Sequence, residues 1–249
     1  MWKKDRNILF FTVGLLVLVM VFAWAAGKCR FSAWMSGHAG SGAAVMTMGN
    51  AVVTGTEQPQ PELVKKGKVA LTFDDGPSGT YTPQLLDGLA KRGVKATFFI
   101  TGENAEANPE LVLRTYKEGH LIGNHTYSHL QLNAKNREAF KQELIRTNEI
   151  IEEITGEEVV YVRPPFGSWD KTFEEELNMF PVLWTIDPLD WCTGSASCVV
   201  GKVVPKVKEN SIILLHDEYA STVTAALQIV DELQRQGYEF VTVEEILFD

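Results

Sequence analysis

The fold of this chain is indicated first by the stretch Val69-Ala70-Leu71-Thr72-Phe73-Asp74-Asp75-Gly76-Pro77. Its first five residues are apolar or β-branched, which predicts a buried strand over 69–73. Gly76-Pro77 predicts a turn, so two carboxylates stand where the strand ends. A strand followed by polar side chains and then by a helix is the unit that recurs along the rest of the chain.

Outward from this stretch, strands and helices are predicted to alternate. The strands are placed over 69–73, 95–100, 120–124, 159–162, 181–186, 211–215 and 238–243, and the helices over 82–92, 109–117, 137–154, 171–179, 196–207 and 222–236. Such alternation predicts an α/β fold with a parallel sheet, whose apolar strands are buried on both faces. The pattern fits a closed barrel and an open sheet equally, and both place the chemistry at the C-terminal strand ends.

The N-terminus carries a different signal. Residues 8–26 contain no charged side chain over 19 positions. A helix of that length, at about 1.5 Å per residue, nearly spans a hydrocarbon core of about 30 Å. Basic side chains in residues 1–7 favour a cytoplasmic N-terminus. A transmembrane anchor is favoured over a cleaved signal because the run is long, although Ala23-Trp24-Ala25 matches a cleavage site.

The rest of the chain is expected to form a stem and a catalytic domain. Residues 27–66 are interpreted as a flexible linker because they are rich in Gly, Ser and Pro. Residues 67–249 form the predicted domain, which is long enough to bury a sizeable core. The expected location is the cell membrane, with a single span and an extracellular domain. Secretion after signal cleavage is the alternative.

Charge excludes one class of partner. The 249 residues carry a formal charge of −9, of which residues 1–30 contribute +4 and the remainder −13. An acidic domain is a poor match for a polyanion, so nucleic acid is not an expected partner. No protein partner is implied. The membrane, through residues 8–26, is the expected contact of the N-terminal part.

The cysteines leave two alternatives open. Cys192 and Cys198 are six positions apart, and an extracellular location would allow a local disulfide between them. Two unpaired thiols are the alternative. No CxxC pair is present, so a cysteine-ligated zinc site is unsupported.

Polar side chains that can do chemistry follow the predicted strands. They are Asp74 and Asp75 after the first strand, His125 and His129 after the third, Arg163 after the fourth, Asp187 and Asp190 after the fifth, and His216 and Asp217 after the sixth. Three of the chain's five histidines stand at these positions. His120 and His38 have no such neighbours and are interpreted as a structural and a linker residue.

A metal site is one interpretation of this group. His125 and His129, four apart, would lie on one face of a helical turn, a spacing that suits two ligands of one ion. With Asp75 they would make a set of two histidines and one carboxylate, which leaves positions open for water or substrate. The alternative is that the Asp74-Asp75 pair simply forms an exposed turn.

The remaining polar residues then have natural roles. Asp74 is free to act as a base on water, and His216 can protonate a leaving group. Arg163 can pair with Asp74, and Asp190 can orient His216. A non-haem iron oxygenase also uses two histidines and one carboxylate, but it would leave Asp74, Arg163 and His216 without roles.

Five motifs in order resemble those of the polysaccharide deacetylases, the NodB-homology or carbohydrate esterase family 4 group. They are Thr72-Phe73-Asp74-Asp75-Gly76-Pro77, His125-Thr126-Tyr127-Ser128-His129, Arg163-Pro164-Pro165-Phe166-Gly167, Asp187-Pro188-Leu189-Asp190-Trp191 and Leu214-Leu215-His216. The resemblance covers about 68–245 and does not extend to residues 1–66. It implies a distorted (β/α)7 barrel and a metal-dependent hydrolase that removes acetyl groups from polysaccharides.

The resemblance also implies a role for each motif residue. Asp74 is the implied base, with Arg163 as its partner, and His216 is the implied acid, tuned by Asp190. The implied metal ligands are Asp75, His125 and His129. The Phe166 N–H is the implied oxyanion donor, and Trp191 and Leu214 are the implied walls of an acetyl pocket. The family often has Tyr where this chain has Phe166, which removes a hydroxyl from the expected substrate contacts.

The metal and the substrate are expected by class. Zn²⁺ is the default ion for this ligand set, and Co²⁺, Ni²⁺ or Mn²⁺ can occupy it. The expected substrate is N-acetylglucosamine of peptidoglycan; chitooligosaccharide, acetylxylan and a biofilm polysaccharide are alternatives. A catalytically inactive wall-binding module on the same fold is the alternative from another functional class.

Overall fold

A computed structural model describes residues 65–248 of the chain. The predicted membrane segment at 8–26, His38, and the linker up to residue 64 lie outside the described residues. Within the described range, no helix is long and apolar enough to cross a bilayer.

Seven strands and eight α-helices make up this region. The strands are β1 (Gly67–Asp74), β2 (Thr97–Ile100), β3 (Leu121–Asn124), β4 (Tyr161–Val162), β5 (Phe180–Pro181), β6 (Ser211–His216) and β7 (Tyr238–Val241). The helices are α1 (Thr82–Ala90), α2 (Gly102–Ala107), α3 (Pro109–Lys117), α4 (Arg137–Thr155), α5 (Thr172–Leu177), α6 (Ala196–Val203), α7 (Ala220–Arg235) and α8 (Val243–Phe248). Single 3₁₀ turns lie at Pro165–Gly167, Asp190–Cys192 and Val204–Lys206.

The sheet is parallel and curls toward closure, which confirms the predicted α/β class and the barrel that the resemblance implies. The strand order is β5-β4-β3-β2-β1-β6, with β7 also paired to β1. Beyond β5 the chain crosses to the opposite edge, where Ile186 pairs in parallel with Ile213 of β6. Because β5 and β6 are the two ends of the strand order, this pairing draws them together and makes the barrel distorted rather than open.

Successive side chains of β1 point alternately to the two faces of the sheet. Val69, Leu71 and Phe73 belong to the large core between the sheet and the helices. Ala70 belongs to a smaller cluster inside the barrel with Phe99 and Ile212 among others, against which Val243 of α8 packs. Thr72 and Asp74 share the face of Ala70, so the period of the strand carries Asp74 to the interior at its C-terminal end.

Several elements differ from the sequence-based expectation. The strand predicted over 181–186 is shorter because the chain leaves β4 after Val182 and then pairs with β6 instead. The helix predicted over 196–207 ends at Val203, where a 3₁₀ turn containing Pro205 follows, because proline cannot continue the α-helical hydrogen bonds. The short helices α2 and α8 were not predicted, since six residues are too few to show a helical period.

Candidate active site

Asp74 is held inside the barrel by a fully buried arginine. The Arg163 Nη1 donates to Asp74 Oδ1 at 2.8 Å and to Thr72 Oγ1 at 2.7 Å. Its Nε donates to the Val182 carbonyl at 3.0 Å, and the guanidinium lies 4.2 Å from the centre of the Phe99 ring. Burial lowers the pKa of Arg163, and the Asp74 carboxylate opposes that change. The predicted pairing of Arg163 with Asp74 is therefore present in the structure.

The Asp75 side chain points away from the strand and lies beside His125 and His129. Its backbone is left-handed, with φ at 74°, and its carbonyl accepts from Asn104 Nδ2 of α2 at 2.7 Å. Its Oδ1 lies 3.4 Å from His125 Nε2 and 3.6 Å from His129 Nε2. Burial raises the pKa of Asp75, but the neighbouring imidazoles of His125, His216 and His129 outweigh it and hold that pKa below its ordinary value.

The two histidines reach Asp75 from a loop and not from a helix. The expectation that His125 and His129 lie on one face of a helical turn is wrong: no helix covers 125–129, and Thr126 and His129 have φ of 63° and 57°. Asn124 Oδ1 accepts from the Thr126 N–H at 2.7 Å. These hydrogen-bonded left-handed residues bring the two rings to 4.9 Å between centroids.

The donor set fits a divalent metal ion. One ligand atom from each of Asp75, His125 and His129 lies within 4.8 Å of the others. Asp75 Oδ1 is buried without a hydrogen-bond partner among the described residues, as expected of an atom that ligates an ion. His125 Nδ1 contacts the Arg163 carbonyl at 2.6 Å. Because a carbonyl only accepts, Nδ1 carries the proton and Nε2 keeps its lone pair toward the cluster. Burial lowers the pKa of His129, which favours the neutral form that a metal requires.

His216 lies on the neighbouring strand, in register with Asp74. Its Nδ1 is 2.9 Å from Asp190 Oδ1, so the predicted pairing of these two residues is present. Burial lowers the pKa of His216, but the hydrogen bond and charge of Asp190 outweigh it and raise that pKa to about 9. A histidine in this state keeps its proton at neutral pH and can deliver it to a leaving group.

One cavity of about 430 Å³ joins these groups. Of the predicted site residues, it is lined by Asp74, Asp75, His125, His129, Phe166, Trp191, Leu214 and His216. Arg163 and Asp190 are buried behind this wall and act through Asp74 and His216. Phe166 stands in a 3₁₀ turn with φ at 57°, and its ring lies edge-on to His129 at 5.0 Å between centroids.

Two predicted features lie away from this chemistry. Cys192 and Cys198 are both free thiols, so the disulfide considered for them is absent from the structure. Cys192 Sγ instead donates to the Leu189 carbonyl at 3.1 Å. His120 is structural, as predicted: its buried Nδ1 accepts from the Ala96 N–H at 3.1 Å, and burial lowers its pKa to about 4.

The sequence interpretation missed several residues of the site. Trp184, Leu189 and Tyr219 line the cavity although none follows a predicted strand directly. Asp217, next to His216, is fully buried, and its Oδ2 accepts from Thr82 Oγ1 while its Oδ1 has no partner among the described residues. Burial raises the pKa of Asp217 to about 7. The sequence places Asp217 after a strand, but no role was assigned to it.

Comparisons with known proteins agree with this geometry. A family model for polysaccharide deacetylase matches residues 62–182. A peptidoglycan-N-acetylglucosamine deacetylase of Bacillus cereus is 40% identical over 185 residues, which cover 72% of this chain and 67% of that protein. The peptidoglycan-N-acetylglucosamine deacetylase PgdA of Listeria monocytogenes is 36% identical over 186 residues, 75% of this chain; the match spans only 40% of that longer relative. The structure of peptidoglycan deacetylase PdaC from Bacillus subtilis matches with a TM-score of 0.70 at 36% identity, covering 73% of this chain and 90% of that one.

Asp190→Asn is expected to lower the pKa of His216 from about 9 to about its ordinary value of 6.5 or below. The substitution removes the negative charge that raises the pKa, while the burial that lowers it remains. An NMR titration of the histidine ring carbons measures the change. His120, buried elsewhere, should keep its pKa of about 4 and serves as an internal control. An unchanged His216 titration would contradict the role of Asp190.

Asp217→Asn is expected to stabilise the domain at alkaline pH. The folded state raises the pKa of Asp217 to about 7, so it favours the neutral carboxyl. Stability from this group is full below about pH 4 and is lost as the pH rises through about 7. Asparagine stays neutral, so the gain at pH 8 over wild type is on the order of 1–3 kcal/mol. Urea unfolding at pH 5 and pH 8 measures it, with exposed Glu149→Gln as control. A gain that is equal at both pH values would refute the assignment.

Proposed function

The chain belongs to the polysaccharide deacetylase family, and on that premise we propose that it hydrolyses acetyl groups from N-acetylated cell-wall polysaccharide. The proposed substrate is N-acetylglucosamine of peptidoglycan. One observation carries the proposal: the cluster of Asp75, His125 and His129, the Asp74–Arg163 pair and the His216–Asp190 pair meet at a single cavity. This arrangement offers a base, an acid and a ligand set around one substrate position.

Asp75, His125 and His129 are the residues proposed to hold a divalent ion, with Zn²⁺ the preferred choice for two imidazoles and a carboxylate. When bound, such an ion supplies Lewis acidity toward water and the acetyl carbonyl. The contact of His125 Nδ1 with the Arg163 carbonyl keeps the ring oriented for this role.

Asp74 is the proposed general base. Its Oδ1 is taken by Arg163, which leaves Oδ2 as the oxygen available to a water molecule. That Oδ2 lies 3.8 Å from His125 Nε2, so the base and the ligand cluster face the same point. The hydrogen bond from Arg163 Nη1 to Oδ1, at 2.8 Å, fixes the orientation of the Asp74 carboxylate.

His216 is the proposed general acid, and Phe166 the proposed oxyanion donor. His216 holds its Nδ1 proton toward Asp190, so Nε2 is the position that protonates the departing amine. The backbone N–H of Phe166 lies in the turn that borders the cavity and is proposed to donate to the developing oxyanion. Loss of one such donor costs on the order of 10²-fold in turnover.

The acetyl group is proposed to lie between Trp191 and Leu214, which line the cavity as apolar surfaces. The names of two relatives support N-acetylglucosamine as the sugar. Chitooligosaccharide, acetylxylan and a biofilm polysaccharide differ in sugar or linkage and are tested as alternative substrates. Attachment to the membrane through residues 8–26, with the domain outside the cell, would place the enzyme at this substrate.

Acetate release is expected from the full chain on peptidoglycan and chitooligosaccharide, and it should stop when a chelator removes divalent ions. Asp74→Asn is expected to lower turnover by about 10²–10⁴-fold, the usual share of general base catalysis. Acetate from each substrate is measured with and without Zn²⁺. Near-normal turnover by Asp74→Asn would remove the base assignment. No acetate release from any of the glycans would favour an inactive wall-binding module, and activity that requires oxygen would favour an oxygenase.

His125→Ala is expected to abolish tight binding of one metal ion per chain, since two ligands hold an ion far less well than three. Elemental analysis after dialysis and calorimetric titration with Zn²⁺ measure stoichiometry and affinity. Asp74→Asn is the matched control, because it alters a neighbouring carboxylate outside the ligand set. Retention of one tightly bound ion by His125→Ala would show that the ligand set is wrong.

A further inference from the structure

Asp190 is surrounded by three donors that leave its carboxylate one orientation. Oδ1 pairs with His216 Nδ1 at 2.9 Å, and Oδ2 accepts from the His216 backbone N–H, also at 2.9 Å. The third donor is the hydroxyl of Thr222, which lies 2.7 Å from Oδ2. Both Asp190 and Thr222 are buried.

Thr222 differs in this respect from threonines that lie further along their helices. Thr115, Thr147 and Thr224 each donate to the carbonyl four residues earlier in their own helix. Thr222 is the third residue of α7, where the carbonyl four residues back is not yet part of the helix. Its hydroxyl is therefore free to bond outside the helix, and it points across to the turn that carries Asp190.

We propose that Thr222 is a positioning residue of the deacetylation reaction, which acts through Asp190 to hold the His216 imidazole toward the cavity. The inference rests on the proposed function. Without the hydroxyl, Oδ2 keeps only the His216 backbone N–H, and the carboxylate can rotate about its Cβ–Cγ bond. That rotation would move Oδ1 away from Nδ1 and leave the ring free to turn from the leaving group.

The side chain is also confined by the helix that bears it. α7 packs on the sheet through Val223, Ala226 and Ile229 among others, so its first turn cannot move independently of the core. The Thr222 hydrogen bond thus fixes Asp190 relative to a rigid helix. Asp190 itself lies in a turn, Asp190–Cys192, of only three residues. A hydroxyl on a rigid element is well suited to fix a carboxylate on a short one.

The test compares Thr222→Val and Thr222→Ala, which lack the hydroxyl, with Thr222→Ser, which keeps it. Thr224→Val is the matched control, an exposed threonine two residues along the same helix. Turnover and KM for acetate release are measured on chitooligosaccharide with the Zn²⁺-loaded full chain. The His216 Nδ1 proton, which is hydrogen-bonded to Asp190, is observed as a downfield NMR signal.

Thr222→Val and Thr222→Ala are expected to lose roughly 10-fold in kcat with KM within about 2-fold, the pattern of an interaction needed only in the transition state. They should also lose or broaden the Nδ1 signal. Thr222→Ser should restore kcat to within about 3-fold, and Thr224→Val should match wild type. If Val fails to fold in a thermal scan, the Ala and Ser pair decides the same point.

Three results would overturn the proposal: an unchanged kcat and Nδ1 signal without the hydroxyl, a Ser variant as impaired as Ala, or equal loss in Thr224→Val. Failure of the proposed function is distinguishable, because the wild type would then release no acetate. In that case the Nδ1 signal still reports whether Thr222 orders the Asp190–His216 pair.

Discussion

An ion pair between Arg163 and Asp74 inside the barrel holds the other residues of the site in place. A fully buried guanidinium is tolerated only when its charge and its donors are satisfied, and removal of one partner of such a pair typically costs about 3–5 kcal/mol. The donors of Arg163 reach β1, through Thr72 and Asp74, and the segment after β5, through the Val182 carbonyl. The backbone carbonyl of Arg163 also orients the His125 ring through its contact with Nδ1. One arginine therefore joins the proposed base, the proposed metal ligands and the curled sheet.

Two histidines at this site show how a partner decides the role of the same side chain. His125 places Nδ1 against a backbone carbonyl, which holds the Nδ1 proton and turns Nε2 toward Asp75. His216 places Nδ1 against a carboxylate, which raises its pKa to about 9. The first arrangement suits metal binding and the second suits proton donation. The difference in role follows from the acceptor that each ring faces, since both histidines stand at the C-terminal ends of strands.

Backbone strain is concentrated where these side chains meet. Of seven described non-glycine residues with positive φ, five belong to the site: Asp75, Thr126, His129, Phe166 and Leu189. Such conformations cost on the order of 1–3 kcal/mol each and persist where surrounding contacts impose them. Side-chain hydrogen bonds supply those contacts: Asn104 holds the Asp75 carbonyl, Asn124 the Thr126 N–H and Asp187 the Leu189 N–H. The loop conformations thus direct the site side chains toward the cavity, and hydrogen bonds from short polar side chains nearby stabilise those conformations.

Residue order alone predicted the βα alternation and the set of polar residues after the strands, because the periods of strands and helices are local properties of the chain. It therefore predicted the parallel sheet and the meeting of Asp74, Asp75, His125, His129 and His216. It could not predict the loop that replaces a helical turn at His125 and His129, nor the free thiols of Cys192 and Cys198. It also did not predict the contacts of Thr222 and Asp217, whose partners lie 32 and 135 positions away. Those contacts depend on the curl of the sheet and the packing of helices on it, because these set which distant side chains become neighbours.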